Sequence, residues 1–249
     1  MINSKDNANY KLWMKLQQKK YRQSERKFLV EGVHLVVEAK QAGILVEVIV
    51  AEGVDFAIDA PLTILRKDLF ERLAGTVNSA GVMAVCQMHE AELTSQERVL
   101  LVDGIQDPGN LGTLIRSALA FGFDGIVMSP DTVDIYNEKV VRATQGALFA
   151  LPILRRDLAD YVATLQSDGV TVYATTLTAR ARPLTDVKAT HGSTGDKLAF
   201  VVGNEGSGVR ESLVGVCDGT VVIEMALAVE SLNVGVAGSI LMYEFRKID

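Results

Sequence analysis

Only two cysteines, Cys86 and Cys217, and three histidines occur in the 249 residues. Two isolated cysteines cannot build a disulfide framework, so they read as thiols of a reducing compartment, which points to the cytoplasm. His34, His89 and His191 are far apart and share no His/Cys spacing suited to a transition metal. Neither a metal site nor a histidine-dependent triad is therefore expected. No run of 18 apolar residues is present, which argues against a membrane span, and the first residues lack the apolar stretch of a signal peptide. Both standard nucleotide cradles are missing too, since the glycine-rich stretch Gly203-Asn204-Glu205-Gly206-Ser207-Gly208 fits neither spacing. What is abundant is aliphatic: 48% of residues are hydrophobic and 22% charged. That excludes a disordered chain and suffices for the cores of one large domain or two modest ones.

Net positive charge is also lacking, at −6 overall, which by itself argues against a polyanionic partner. The distribution reverses that inference. Residues 1–40 hold nine Lys/Arg against four acids, and the remaining 209 hold 16 against 27. A basic start on an acidic body suggests an arm that faces a polyanion, although such a run also suits a solvated helix face.

Hydrophobic patterning divides the chain in two. Asn9 to Tyr21 reads as one basic amphipathic helix with Leu12, Trp13 and Leu16 inward. Strands at Phe28–Val30, Leu45–Val50, Leu62–Leu65 and Val82–Cys86 alternate with helices at Val33–Gln41 and Asp68–Leu73, the pattern of a small α/β domain. The polar stretch His89–Glu97 is the linker candidate, giving domains 1–94 and 95–249. Beyond it, short continuous apolar strands (Val99–Val102, Gly125–Met128, Val170–Ala174, Leu198–Val202, Thr220–Ile223) alternate with helices, of which Leu232–Phe245 is the last. This predicts a parallel sheet covered on both faces, with ligands at the carboxyl ends of its strands.

Three loops after strands carry the chemistry. Asp107-Pro108-Gly109-Asn110 marks a turn before a helix that bears Arg116 off its apolar side, where an arginine is more often a surface ion pair than a functional group. Gly203 to Gly208 permits close backbone approach to a ligand. In the third, Ile223-Glu224-Met225 precedes Ser231-Leu232-Asn233, where Ser231 or Asn233 can cap the last helix. Gly235 and Gly238 inside that helix cost roughly 1 kcal/mol each relative to alanine, so something must approach that face closely.

Together these loops resemble the SpoU (TrmH-type) family of knotted RNA methyltransferases. The resemblance rests on Asp107-Pro108-x-Asn110-x-Gly112-x-x-x-Arg116, Gly203-Asn204-Glu205-Gly206-x-Gly208, and Ile223-x-Met225 followed by Ser231-Leu232-Asn233-Val234. The stretch Val141 to Ala147 is similar to the segment between the first two motifs. Lys19-Lys20-Tyr21-Arg22, Phe28 to Gly32 and Gly81 to Val85 look like the family's accessory substrate-binding domain. The resemblance implies an α/β fold whose C-terminal parallel sheet forms a trefoil knot, preceded by a small ribosomal-protein-like RNA-binding domain. It implies transfer of a methyl from S-adenosylmethionine to a ribose 2′-hydroxyl, of rRNA rather than tRNA, by a homodimer. A catalytically silent RNA-binding protein on the same fold is the alternative.

On that resemblance Arg116 is the main catalytic residue, with Asn110, Glu205, Ser231 and Asn233 orienting it and the ribose. The cofactor would lie against Thr175, Thr176, Leu177, Gly203, Asn204, Gly206, Ile223, Met225, Leu232 and Asn233. RNA would meet Lys15, Lys19, Lys20, Arg22 and Arg142, and Gly235 and Gly238 would serve packing between subunits.

Overall fold

The computed structural model describes every residue except 76–78, 89–91, 192–195, 227 and 248–249. His89 and part of the expected linker thus lie outside the described residues. Among those described, no helix is long and apolar enough to cross a membrane.

The chain divides into two compact units, Met1–Glu90 with Asp134–Ala150, and Ala91–Val133 with Leu151–Asp249. The boundary lies close to the expected one, but the excursion 134–150 packs with the N-terminal unit, which a reading along the chain does not anticipate. Its reason is aromatic packing: Phe28 takes Tyr136 at 4.6 Å and Phe149 at 6.2 Å between ring centroids.

In the N-terminal unit, strands β1 (Lys27–Glu31), β2 (Leu45–Ala51), β3 (Leu62–Leu65) and β4 (Val82–Gln87) form a sheet ordered β1-β4-β2-β3. Both β4 pairings are antiparallel, and β2 pairs with β3 in parallel. Trp13 and Leu16 bury fully against Ile49, Leu65 and Phe70. The expected single helix over Asn9–Tyr21 is two, α1 (Ala8–Leu16) and α2 (Lys19–Glu25), with α3 (Val33–Gln41) and α4 (Lys67–Leu73) following. Gln18 is extended, and the Arg22 guanidinium takes the carbonyls of Leu16 and Gln17 at 3.0 and 2.7 Å. A side chain six residues on supplies the partners that a continued helix would have supplied.

The C-terminal unit is one seven-stranded sheet, every pairing parallel, in the order β7-β6-β5-β10-β8-β11-β9. Its central strands β5 (Arg98–Val102), β6 (Gly125–Met128), β8 (Thr171–Thr175) and β10 (Leu198–Val202) are nearly all buried, as continuous apolar runs require. β11 (Gly219–Val222) stands beside β8, and the edges are the short strands β7 (Ile153–Arg155) and β9 (Arg182–Pro183). Helix α5 (Pro108–Ala120) begins three residues before the predicted start, because Asp107 accepts the Asn110 N–H at 2.8 Å and Pro108 fills the first turn. The remaining helices are α6 (Glu138–Thr144, in the excursion), α7 (Leu158–Ser167), α8 (Leu184–His191), α9 (Glu211–Val214) and α10 (Val234–Glu244).

Helix α10 packs on α5 of the same chain. A Cβ on Gly238 would lie 2.3 Å from Leu114 Cδ2, and one on Gly235 would lie 3.4 Å from Thr113 Cβ. These glycines therefore meet another element of the same chain, one of the three approaches (element, subunit or ligand) that glycines inside a helix leave open. Gly238→Val is expected to destabilise the C-terminal unit by about 1–3 kcal/mol through overpacking, as read by urea unfolding.

Candidate active site

The loops at the carboxyl ends of β8, β10 and β11, together with the start of α10, enclose a cavity of about 700 Å³. That is the size of a small-molecule site. All ten residues expected at the cofactor line it: Thr175, Thr176 and Leu177 after β8, Gly203, Asn204 and Gly206 after β10, Ile223 and Met225 after β11, and Leu232 and Asn233 before α10. Val209, Val221, Val222, Val234 and Ala237 line it as well and were not anticipated from the sequence. As plain aliphatic residues at element ends, they carry no signal except position.

The second loop is folded back on itself. Asn204 and Gly208 exchange backbone hydrogen bonds at 3.0 and 2.9 Å, and a Cβ on Gly203 would lie 2.0 Å from the Gly208 carbonyl carbon. Both ends of the Asn204 amide are engaged within the protein. Its Nδ2 donates to the Gly104 carbonyl at 2.8 Å, and its Oδ1 accepts the Gly206 N–H at 2.9 Å. Asn204 thus shapes the loop from within the cavity lining. Gly203→Ala is expected to weaken cofactor binding at least ten-fold by calorimetry, because the colliding atom is backbone and cannot rotate away.

Beneath this loop Asp103, 1% exposed, accepts the Arg210 backbone N–H at 3.0 Å and pairs with the Arg210 guanidinium. No sequence signal marks that pair, since its partners are separated by more than a hundred residues.

Glu205 ties the three motifs together. Its carboxylate accepts the N–H groups of Gln106 at 3.2 Å and Asp107 at 3.0 Å, and the Asn110 side-chain amide at 3.1 Å. Asn110 Oδ1 accepts from Asn233 Nδ2 at 2.9 Å, and Asn233 Oδ1 caps α10 by accepting the Val236 N–H at 3.2 Å. Each amide is oriented by its neighbour, so one carboxylate sets the direction of the chain. Burial pushes the Glu205 carboxyl up, but the hydrogen bonds from Asp107, Asn110 and Gln106 outweigh it and hold it below the usual glutamate range. A depressed folded pKa means the tie is complete above the unfolded value and is lost only as pH falls through the lower folded one. Glu205→Gln should cut turnover about ten-fold in methyl-transfer assays, because one amide hydrogen then faces the donors that now meet a carboxylate.

Arg116 stands on the exposed side of α5, outside the cavity lining, and its guanidinium has no hydrogen bond or ion pair among the described residues. The surface-pair reading is thereby removed. Ser231 lines the cavity and is exposed. Of the residues expected to meet RNA, Lys15, Lys19 and Lys20 are exposed. Arg22 is 5% exposed and bonded to Asp134 at 2.5 Å, so it is a core ion pair and not a surface contact. Arg142 is half-buried in α6, its Nη1 3.8 Å from Glu31.

What the cavity accepts follows from its charge. Among its described lining residues Glu205 alone is ionisable, with no Lys or Arg to meet a phosphate. Uncharged hydroxyl and amide side chains, aliphatic side chains and one carboxylate suit an uncharged purine carrying a cationic centre, as in S-adenosylmethionine.

Comparison with known proteins agrees. The SpoU rRNA Methylase family matches residues 97–243, and the MRM3-like substrate binding domain matches residues 7–84. The 23S rRNA (guanosine(2553)-2'-O)-methyltransferase RlmP of Bacillus subtilis (strain 168) is 40% identical over 98% of this chain and 98% of its own. A crystal structure of AdoMet-bound rRNA methyltransferase from Sinorhizobium meliloti has a TM-score of 0.85 at 27% identity, covering 98% of this chain and 96% of that one. The SpoU methyltransferase AviRb from Streptomyces viridochromogenes, in complex with AdoMet, has a TM-score of 0.83 at 26% identity, covering 96% and 97%. With more than half its length under one family and a full-length relative at 40% identity, the chain belongs to the SpoU rRNA methylase family and is an S-adenosylmethionine-dependent RNA methyltransferase.

Proposed function

We propose that this chain methylates a ribose 2′-hydroxyl of ribosomal RNA, as a cytoplasmic homodimer whose N-terminal residues 1–94 engage the RNA and whose residues 95–249 form a knotted catalytic domain. The observation that carries it is the hydrogen-bonded line Glu205–Asn110–Asn233, which joins the cavity rim to the helix that presents Arg116. When bound, S-adenosylmethionine supplies a methyl made electrophilic by its sulfonium, without a metal.

The difficult partner is the hydroxyl, a poor nucleophile whose proton must leave as the new C–O bond forms. A guanidinium offers five N–H donors and no acceptor, so Arg116 is a clamp and not a base. Its two-pronged guanidinium holds the phosphate beside the target ribose, orients the hydroxyl for in-line attack and stabilises alkoxide character. The proton passes to that phosphate or to water. Asn110, Glu205 and Asn233 hold the end of α5 in register with the cavity, and the Ser231 hydroxyl orients the ribose. Homodimer formation is supported by Leu119, Val236 and Tyr243, apolar and exposed at 41%, 47% and 49% on the paired helices α5 and α10.

Ribose-methylation mapping of total RNA from cells with and without the gene tests this reading. One rRNA ribose losing its methyl, restored by the wild-type gene and not by the Arg116→Ala gene, supports it. An unchanged rRNA pattern alongside intact RNA binding supports a catalytically silent binder instead.

A further inference from the structure

The corner between α1 and α2 holds an arrangement that catalysis does not use. Tyr21, half-buried at the start of α2, has the Lys15 ammonium 5.5 Å and the Lys20 ammonium 5.9 Å from its ring centroid. Lys15 comes from the last turn of α1 and Lys20 from the first turn of α2, so two helices converge on one ring. The corner is rigid by construction. Arg22 donates to the last carbonyls of α1 and is anchored by Asp134, and the Gln18 N–H donates to the Lys15 carbonyl at 2.9 Å.

The charges there are also unneutralised. Lys15, Lys19 and Lys20 form no ion pair among the described residues, whereas Lys11, Lys40 and Arg66 in the same unit each have a carboxylate within 4 Å. The Tyr21 phenol oxygen makes no hydrogen bond among the described residues. Ammonium–ring attraction is weak at an exposed site, so these lysines are available to a stronger anion. The two ammonium groups lie over the ring, and their transfer to flanking phosphates would leave its face to a base, which is how single-stranded nucleic acid is held. A continuous duplex cannot use the ring, because its bases are already stacked on one another.

We propose that Tyr21, with Lys15 and Lys20, is a stacking platform for one unpaired base of the RNA substrate, so that the N-terminal unit selects looped over fully paired RNA. This rests on the reading of that unit as the RNA-engaging part.

The test uses the full chain and two fluorescein-labelled RNAs, a hairpin with an unpaired loop and a continuous duplex of the same stem. Anisotropy gives Kd at several salt concentrations. Wild type is expected to prefer the hairpin. Tyr21→Ala should weaken hairpin binding about ten-fold or more while leaving the duplex unchanged, and Tyr21→Phe should retain the wild-type preference. The Lys15→Ala, Lys20→Ala double variant should lower the salt slope on the hairpin by about 1.4, the value for two single-strand phosphate contacts. The proposal is overturned if wild type shows no preference for the hairpin, or if Tyr21→Ala, folded by its circular dichroism, binds both RNAs as wild type does. Loss of methyl transfer to rRNA by wild type would refute the proposed activity and leave a Tyr21-dependent hairpin preference standing, so the two can fail separately.

Discussion

Arg116→Ala is expected to bind S-adenosylmethionine as wild type does and to lose methyl transfer, with kcat falling roughly a hundred- to a thousand-fold. The separation follows from position. Arg116 is absent from the cavity lining, so its removal leaves the cofactor's surroundings intact, and it makes no bond within the described residues whose loss would disturb the fold. On the proposed mechanism, all of its effect is then expected on the step in which negative charge develops on the ribose oxygen. Calorimetry for the cofactor and single-turnover methyl transfer on rRNA measure the two quantities independently. Equal losses of cofactor affinity and rate would remove the clamp from the mechanism. Arg116→Lys should recover little, since an ammonium cannot make the two-pronged contact.

Arg22→Ala is expected to lower the stability of the N-terminal unit by about 3–5 kcal/mol, as breaking one side of a buried ion pair does. The Arg22 and Asp134 side chains are only 7% and 16% exposed, so alanine leaves the Asp134 carboxylate inside without its cation. The same change strips the carbonyls of Leu16 and Gln17 of their donor. Urea unfolding followed by the fluorescence of Trp13, the chain's one tryptophan, reports on this unit directly. Adding Asp134→Ala should cost less than the sum of the two single changes, because the stranded carboxylate is then gone. A folded Arg22→Ala protein whose RNA affinity alone fell, with a shallower salt dependence, would instead return Arg22 to the RNA surface.

Arg22 also marks where reading a sequence reaches its limit. Within Lys19-Lys20-Tyr21-Arg22 the three cations look alike along the chain, and nothing local separates the two lysines at the surface from the arginine that turns inward. The separation depends on Asp134, 112 positions away, which lies in an excursion from the other half of the chain. The same excursion explains why a domain boundary placed at a polar linker misses 134–150.

Strand and helix placement was far more legible. Val33–Gln41, Leu62–Leu65, Gly125–Met128 and Leu198–Val202 have the predicted bounds. Each is a local run, either continuously apolar or periodic, bounded by residues that break it. Edge strands β7 and β9, of three and two residues, and helix α8 were not legible. A run of two or three residues carries no period, and α8 begins where Glu224, forty positions on, accepts the Leu184 N–H at 3.1 Å and the Thr185 hydroxyl.

The patterning along the chain determined by itself the α/β class with its parallel sheet, and the order of three loop motifs carried the family resemblance, from which the cofactor followed. Those properties follow from local chemistry: apolar runs bury, and glycines after a strand admit close backbone approach. Only the tertiary structure decided that Glu205, Asn110 and Asn233 make one hydrogen-bonded line, that Gly235 and Gly238 receive α5, and that one arginine of a basic stretch is core. Hydrogen bonds and ion pairs are short-ranged and directional, so which polar groups meet depends on where distant segments arrive, and pattern along the chain does not encode arrival.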